Sequence, residues 1–396
     1  MKKLAILGPG TVGGSCAQIL LRDAAILEKN AGEPLALSYV LARHDMPGKP
    51  FRDRLVTDFS VIARDPEVFL VIETIGGCGA ALDYVRRALS AGKHVVTANK
   101  QLVAEHGAAL LQLAKDNGVS FLFEASVGGG IPVLHPISQC LGANEIYEVR
   151  GILNGTTNFI LTQMLTCGQS YDDALRDAQS RGYAEQDPTA DVEGIDAGRK
   201  ICILADIAFG KTVDPGRIAM TGISTITAAD AAFAEAAGMQ LKLLGRAVRQ
   251  EGGLAVFISP HFVPGSMALA PVPGVLNAIE VRGSSIGSAM FFGPGAGGPA
   301  TASAVLGDVV DIVRNPGRRQ PVDWSAEPAA LTDSGELASA FFVRTTQDKA
   351  LCERALGPIR WLPDVGGTHG GFTGETTKNA IGASGFSPDA VWPVLA

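Results

Sequence analysis

Lys2-Lys3-Leu4-Ala5-Ile6-Leu7-Gly8-Pro9-Gly10-Thr11-Val12-Gly13 opens the chain and decides how the rest is read. Four apolar residues run straight into a Gly-x-Gly-x-x-Gly turn, and residues 12–21 beyond it have helical spacing. Strand, glycine turn and helix in that order begin a βαβ unit that cradles a dinucleotide. The glycines permit a tight turn and let a pyrophosphate approach the main chain, and the N–H groups at the helix start bind the anion. The dinucleotide contacts therefore fall on Gly8, Gly10, Thr11, Val12 and Gly13. The same run imitates a secretion signal, but Gly8-Pro9-Gly10 ends the apolar stretch after four residues, too soon for a signal core.

Working outward, apolar segments at 4–7, 35–41, 68–72, 94–97 and 119–123 alternate with helical patterns at 12–21, 80–91 and 102–117. That is the layout of a doubly wound parallel sheet. Residues 151–290 mix helical stretches (158–166 and 192–209) with β-rich pieces (254–259 and 277–281), a second, α+β domain. A helix at 301–313 follows Gly295-Ala296-Gly297. The Pro/Arg stretch 315–321 reads as a linker, and 330–396 forms a small module with a strand at 340–344 and a helix at 348–356. The fold class is α/β: a Rossmann-type doubly wound sheet, a second α+β domain and a C-terminal module.

Composition narrows the partners. The 396 residues are 46% hydrophobic and 18% charged, with a formal net charge of −7 and no long basic run, which argues against nucleic acid. No window approaches the ~18 apolar residues of a membrane helix, so no membrane is expected. Six scattered cysteines without a CxxC pair read as free thiols in a reducing compartment, the cytoplasm.

The second strand ends in Ala42-Arg43-His44, where an NAD-specific fold places Asp or Glu on the ribose. Arg43 and the nearby Lys49 suit a 2′-phosphate, which favours NADP(H) over NAD(H), with Asp45 as the counterweight. Thr74, in Glu73-Thr74-Ile75-Gly76-Gly77, follows a strand end where cofactor riboses sit.

Residues 181–200 carry the chemistry: Glu185, Asp187, Asp191, Glu193 and Asp196 precede Lys200. Asp196 and Lys200 are four apart on one helix face, which is equally the spacing of an exposed ion pair. The same stripe continues to Ile203 and Ile207, so the pair stands where a buried stripe emerges. A lysine there can protonate a carbonyl oxygen as hydride reaches its carbon, and upstream carboxylates can hold a substrate ammonium.

In these blocks the chain resembles the homoserine dehydrogenases. They are Gly8–Gly13, His94-Val-Val-Thr-Ala-Asn-Lys100, Glu124-Ala-Ser-Val-Gly-Gly-Gly-Ile-Pro132, Gly151-Ile-Leu-Asn-Gly-Thr-Thr-Asn158, Tyr183–Pro188, Asp191–Lys200 and Gly295-Ala-Gly297. The resemblance implies NAD(P)-dependent interconversion of L-aspartate 4-semialdehyde and L-homoserine, on the route to threonine and methionine. It implies Lys200 as proton donor, Asp196 at the substrate hydroxyl, Glu185 on the amino group, with Asp191 and Thr157 beside the substrate. Lys100 falls near the nicotinamide with a part in catalysis, and Gly182 and Gly297 match backbone that closes over the cofactor. Main-chain carbonyls of Glu124, Val127, Gly129 and Ile131 correspond to a monovalent-cation site, usually sodium.

The resemblance also implies a division into 1–130 completed by 293–318 (nucleotide binding), 131–292 (catalysis and dimerisation) and 330–396. The last resembles a degenerate ACT-like domain that lacks the Pro-Gly turn. The β-rich segments 131–150 and 255–292 correspond to a dimer sheet, hence a homodimer or higher oligomer acting on a small amino-acid substrate. Two other readings stand beside this one: a catalytically silent NADP-binding sensor, and another amino-acid-pathway reductase that joins a Rossmann domain to an α+β domain.

Overall fold

A computed structural model describes residues 1–315, 317 and 322–396, so the linker expected at 315–321 lies largely outside the described residues. The chain divides into two compact units. The first comprises 1–145, 202–215 and 293–328, and the second 146–201, 216–292 and 329–396. The segment 131–145, expected in the second domain, thus belongs to the first unit.

The first unit is built on six parallel strands: β1 (Lys2–Leu7), β2 (Leu35–Leu41), β3 (Leu55–Val56), β4 (Val68–Glu73), β5 (His94–Thr97) and β6 (Phe121–Leu122). Their order is β3-β2-β1-β4-β5-β6, the dinucleotide-binding order, with its switch point between β1 and β4. Strands β1 and β4 are buried on both faces, as expected where helices cover both sides of a sheet. The helices Thr11–Arg22 and Gly298–Arg314 touch closely: a Cβ on Gly298 would stand 2.5 Å from Ser15 Oγ. The last strand is shorter than the expected 119–123, and β3 with the helices Ala24–Ala31 and Phe59–Arg64 escaped the sequence reading.

A six-stranded sheet dominates the second unit, in the order Gly287–Pro294, Leu276–Gly283, Ile146–Ile152, Met239–Gln250, Gly253–Pro264, Ala219–Met220. Strand structure starts only at Ile146. The expected β character of 131–145 is replaced by turns and a π-helical turn at Pro136–Cys140. The tail follows the order strand (Phe341–Thr345), helix (Lys349–Leu356), two strands (Ile359–Trp361, His369–Thr373), helix (Lys378–Ala383), strand (Ala390–Pro393). Its first strand pairs antiparallel with both the third and the fourth, and the third with the second. This is a complete split-βαβ module, despite the missing Pro-Gly turn.

One correction bears on the site. The helix expected at 192–209 is two helices, Thr189–Val192 and Ile195–Phe209, broken at Glu193-Gly194. Gly194 has φ +82°, and a Cβ there would approach Ile258 Cγ2 to 2.9 Å, so only glycine fits the kink. Of the stripe beyond Lys200, Ile203 is buried, Ile207 is only partly so, and the deeply buried neighbour is Asp206.

Candidate active site

The first unit presents a cleft of about 610 Å³ at the carboxyl ends of β1, β2 and β4. Gly8, Pro9, Gly10, Arg43, His44, Thr74, Ile75 and Tyr84 are among its lining. The turn is tight on one side and open on the other. A Cβ on Gly13 would lie 2.3 Å from Gly8 O and 2.5 Å from Thr74 Oγ1, so the helix start is pressed against the strand end. At Gly10 a Cβ would meet nothing within 4 Å, open space in front of the first N–H groups of Thr11–Arg22. Thr74 Oγ1 donates to Leu7 O (3.0 Å) and Gly8 O (2.7 Å) and fixes the glycine turn from behind.

Charges beyond the carboxyl end of β2 are sorted by geometry. Arg43 lines the cleft, whereas the Asp45 carboxylate is taken by Arg52 in a two-point pair (2.9 and 2.6 Å) that holds its pKa below the usual range. Lys49 is exposed and is not among the cleft-lining residues.

Sequence reasoning missed Glu73. Its buried carboxylate accepts from Ile75 N (2.6 Å), Gly76 N (3.2 Å) and Thr97 Oγ1 (2.5 Å), which staples the loops after β4 and β5. Asn99 donates to Gly77 O (2.6 Å) and caps the helix Lys100–Asp116 through Leu102 N, which leaves Lys100 half-buried at the first helical position. Gly297, at φ +109°, is the N-cap of Gly298–Arg314.

Glu124, Val127 and Ile131 are buried. The main-chain oxygens of Val127 and Gly129 accept no hydrogen bond from the described residues, which suits a carbonyl-lined cation position. The Glu124 side chain has a separate task. Its oxygens accept from the main-chain N–H groups of Val133, Leu134 and His135 and from His135 Nδ1 (2.6 Å). Asp308 lies beside this group, 1% exposed, and accepts from Glu124 N (2.8 Å). Burial pushes the Asp308 carboxyl up, to about 8, against the pull of the His135 charge.

In the second unit the kink at Gly194 gathers the carboxylates. On a continuous helix Asp191 and Asp196, five apart, would diverge; across the break both reach Asn154, whose Nδ2 donates to Asp191 Oδ1 (2.7 Å) and Asp196 Oδ2 (2.9 Å). Asn154 Oδ1 meanwhile caps the helix Gly155–Cys167 through Thr157 N (2.9 Å). Lys200 Nζ donates to Asp196 Oδ2 and to Leu153 O, both at 2.7 Å, with Asp196 4% and Lys200 8% exposed. The pair is therefore buried, not the solvated one its spacing allowed. Glu185 stands apart: its side chain is exposed and its main-chain oxygen accepts from Gln179. Gly182 lies in an exposed turn at φ +73°.

Two family models cover most of the chain: the homoserine dehydrogenase NAD-binding domain at residues 8–124 and homoserine dehydrogenase at 132–310. The homoserine dehydrogenase of Pseudomonas aeruginosa is 42% identical over 352 residues, 86% of this chain and 81% of its own length. That of Bacillus subtilis is 40% identical over 320 residues, 79% and 73% of the two chains. A crystal structure of a homoserine dehydrogenase from Thiobacillus denitrificans matches with a TM-score of 0.89 at 34% identity, covering 100% of this chain and 98% of the other. A hyperthermophilic archaeal homoserine dehydrogenase in complex with NADPH matches at 0.66 and 25% identity, over 81% of this chain and 100% of that one. With the glycine turn, the cleft and the buried Lys200 pair already in view, the chain belongs to the homoserine dehydrogenase family, oxidoreductases acting on a CH–OH group.

Proposed function

We propose that the chain interconverts L-aspartate 4-semialdehyde and L-homoserine, with Lys200 as the proton donor and NADP(H) as the preferred cofactor. The observation that carries this is the buried Lys200 ammonium, fixed by Leu153 O and Asp196 Oδ2. These two acceptors orient the ammonium on the helix face. NADPH, when bound, supplies the hydride. As negative charge develops on the aldehyde oxygen, Lys200 passes a proton to it and is left as an amine that solvent reprotonates.

Asp196 balances the ammonium and orients it, and Asn154 keeps Asp191 and Asp196 in fixed positions. Glu185 binds the substrate ammonium, Asp191 and Thr157 complete the substrate contacts, and Lys100 assists at the nicotinamide. Gly8, Gly10, Thr11, Val12 and Gly13 hold the pyrophosphate, Thr74 the nicotinamide end, Arg43 the 2′-phosphate with Lys49 at longer range, and Gly182 and Gly297 close over the cofactor. Glu124, Val127, Gly129 and Ile131 hold sodium through their carbonyls, where its charge organises the glycine loop. The assembly is a homodimer or higher oligomer formed through the second unit, whose sheet carries the exposed apolar side chains Tyr147, Met290 and Phe292. The compartment is the cytoplasm; among the described residues no helix is long and apolar enough to cross a membrane.

NADP preference rests on Arg43 lining the cleft while Arg52 occupies Asp45. A guanidinium pairs with a phosphate at two points, so Arg43→Ala is expected to weaken NADPH by roughly tenfold or more and NADH little. Equal losses for the two cofactors, or tighter NADH binding by the unmodified enzyme, would overturn the assignment.

A further inference from the structure

Away from the glycine turn and the Lys200 pair, three ligand-bearing side chains converge on the first unit. Cys78 ends the loop after β4 and precedes the helix Gly79–Ser90, while Glu105 and His106 lie in the second turn of Lys100–Asp116. Cys78 Sγ donates to Glu105 Oε2 at 3.3 Å. The sulfur, a Glu105 carboxylate oxygen and a ring nitrogen of His106 all fall within 4.8 Å of one another. Cys78 and His106 are half-buried and Glu105 is exposed, so an ion can enter from solvent.

We propose that Cys78, Glu105 and His106 bind a divalent transition-metal ion of the zinc class. Thiolate, imidazole and carboxylate are the donors zinc takes, and three protein ligands with water in the fourth position make an open tetrahedral site. Calcium and magnesium prefer all-oxygen shells, so the sulfur selects against them. Zinc–ligand distances of about 2.0–2.3 Å place neighbouring tetrahedral donors roughly 3.3–3.5 Å apart, a small closing movement from the present spacing. On binding, the thiol gives its proton to solvent and nothing is oxidised or reduced.

The second cluster of similar composition, Glu124 with His135 and Asp308, is a poorer host. An ion there would have to displace the four hydrogen bonds that Glu124 already accepts. The ion would also act on the cofactor cleft, because Thr74, Ile75 and Ala80, which flank Cys78 in sequence, line it.

The test uses the reduced, chelator-stripped full chain. Zinc is added by equilibrium dialysis, and alkylation of each cysteine by iodoacetamide is followed by peptide mapping. Cys140 and Cys167 are the internal controls, being exposed and part of no such group among the described residues. The expected result is one zinc per chain, with Cys78 alkylated at least tenfold more slowly and the two controls unchanged. Cobalt in place of zinc should give a thiolate-to-metal charge-transfer band. Cys78→Ser and His106→Gln should each weaken binding at least tenfold. An unchanged Cys78 rate with zinc present, which needs no variant to observe, would overturn the proposal; so would full zinc retention in both variants.

Discussion

Glu124 in the first unit and Lys200 in the second are both buried charges, yet they are held in opposite styles. Both Glu124 oxygens are committed, to three main-chain N–H groups and an imidazole, and the carboxylate serves as a staple for residues 133–135. Lys200 donates to a carboxylate, that of Asp196, and to a main-chain carbonyl, that of Leu153. A carboxylate surrounded by donors has its charge spent on architecture. On the proposed mechanism Lys200, oriented by Asp196 and Leu153 O, is the group that moves a proton. Substitutions at the two places should therefore fail differently.

The largest effect is expected at Lys200. Lys200→Ala should lower kcat by roughly 10²–10⁴, the range for a general acid. Because the pair is buried, removing the ammonium also takes away the Asp196 ion-pair partner, with Asn154 still donating to the carboxylate, so a stability loss of up to about 3 kcal/mol accompanies it. Turnover is accordingly measured on protein verified as folded; kcat within threefold of the parent would remove Lys200 from the mechanism. Glu124→Gln inverts the pattern. Loss of a buried, fully bonded charge should cost about 3–5 kcal/mol in urea unfolding, while the folded fraction keeps kcat within about tenfold. If Glu124→Gln were as stable as the parent, the staple would have no energetic content.

This contrast was only half legible in sequence. The glycine turn, the strands 35–41 and 94–97 and the Asp196–Lys200 spacing are local patterns, so their periodicity survives in the fold. Glu124 and Asp308 are 184 residues apart and meet only because Gly298–Arg314 packs in the first unit, a pairing no local pattern announces. The same holds for the buried Glu148, which accepts from Arg246 (2.6 Å) and Arg282 (2.9 Å) on neighbouring strands. Residues 192–209 read as one helix in sequence because a single glycine is tolerated in a helical pattern, and only the close approach of Ile258 shows that Gly194 must break it. The tail is faint in sequence for a similar reason: strands of three to five residues carry little periodicity, although their pairing completes the module.

Glu185 sharpens the comparison from the exposed side. A carboxylate that binds a substrate ammonium acts in ground and transition states alike, so Glu185→Ala should raise KM for aspartate semialdehyde by about tenfold and leave kcat nearly unchanged. Solvent exposure keeps the effect modest. A fall in kcat with constant KM would place Glu185 in the chemical step instead.

The smallest effect separates two histidines. At His135 burial pulls the imidazole down, but the Asp311 carboxylate 3.6 Å away, the hydrogen bond to Glu124 and the charge of Asp308 outweigh it and lift it to about 10. His261 has no such company. Burial, helped by the Arg246 charge and opposed by the Ser259 carbonyl, lowers it to about 3, so it folds neutral. A pKa below the unfolded value near 6.5 contributes stability that is present above pH 6.5 and lost as pH falls toward 3. Each pH unit within that window is worth at most about 1.4 kcal/mol, and the rounded top of the titration leaves about 1 kcal/mol between pH 6.5 and 5.5. Carboxylates add their own acid losses, so the informative quantity is the difference in slope between the parent and His261→Gln, read by urea unfolding at several pH values. The variant should lose stability less steeply on acidification. Parallel slopes would mean that His261 takes up its proton without unfolding, and the distinction between the two imidazoles would collapse.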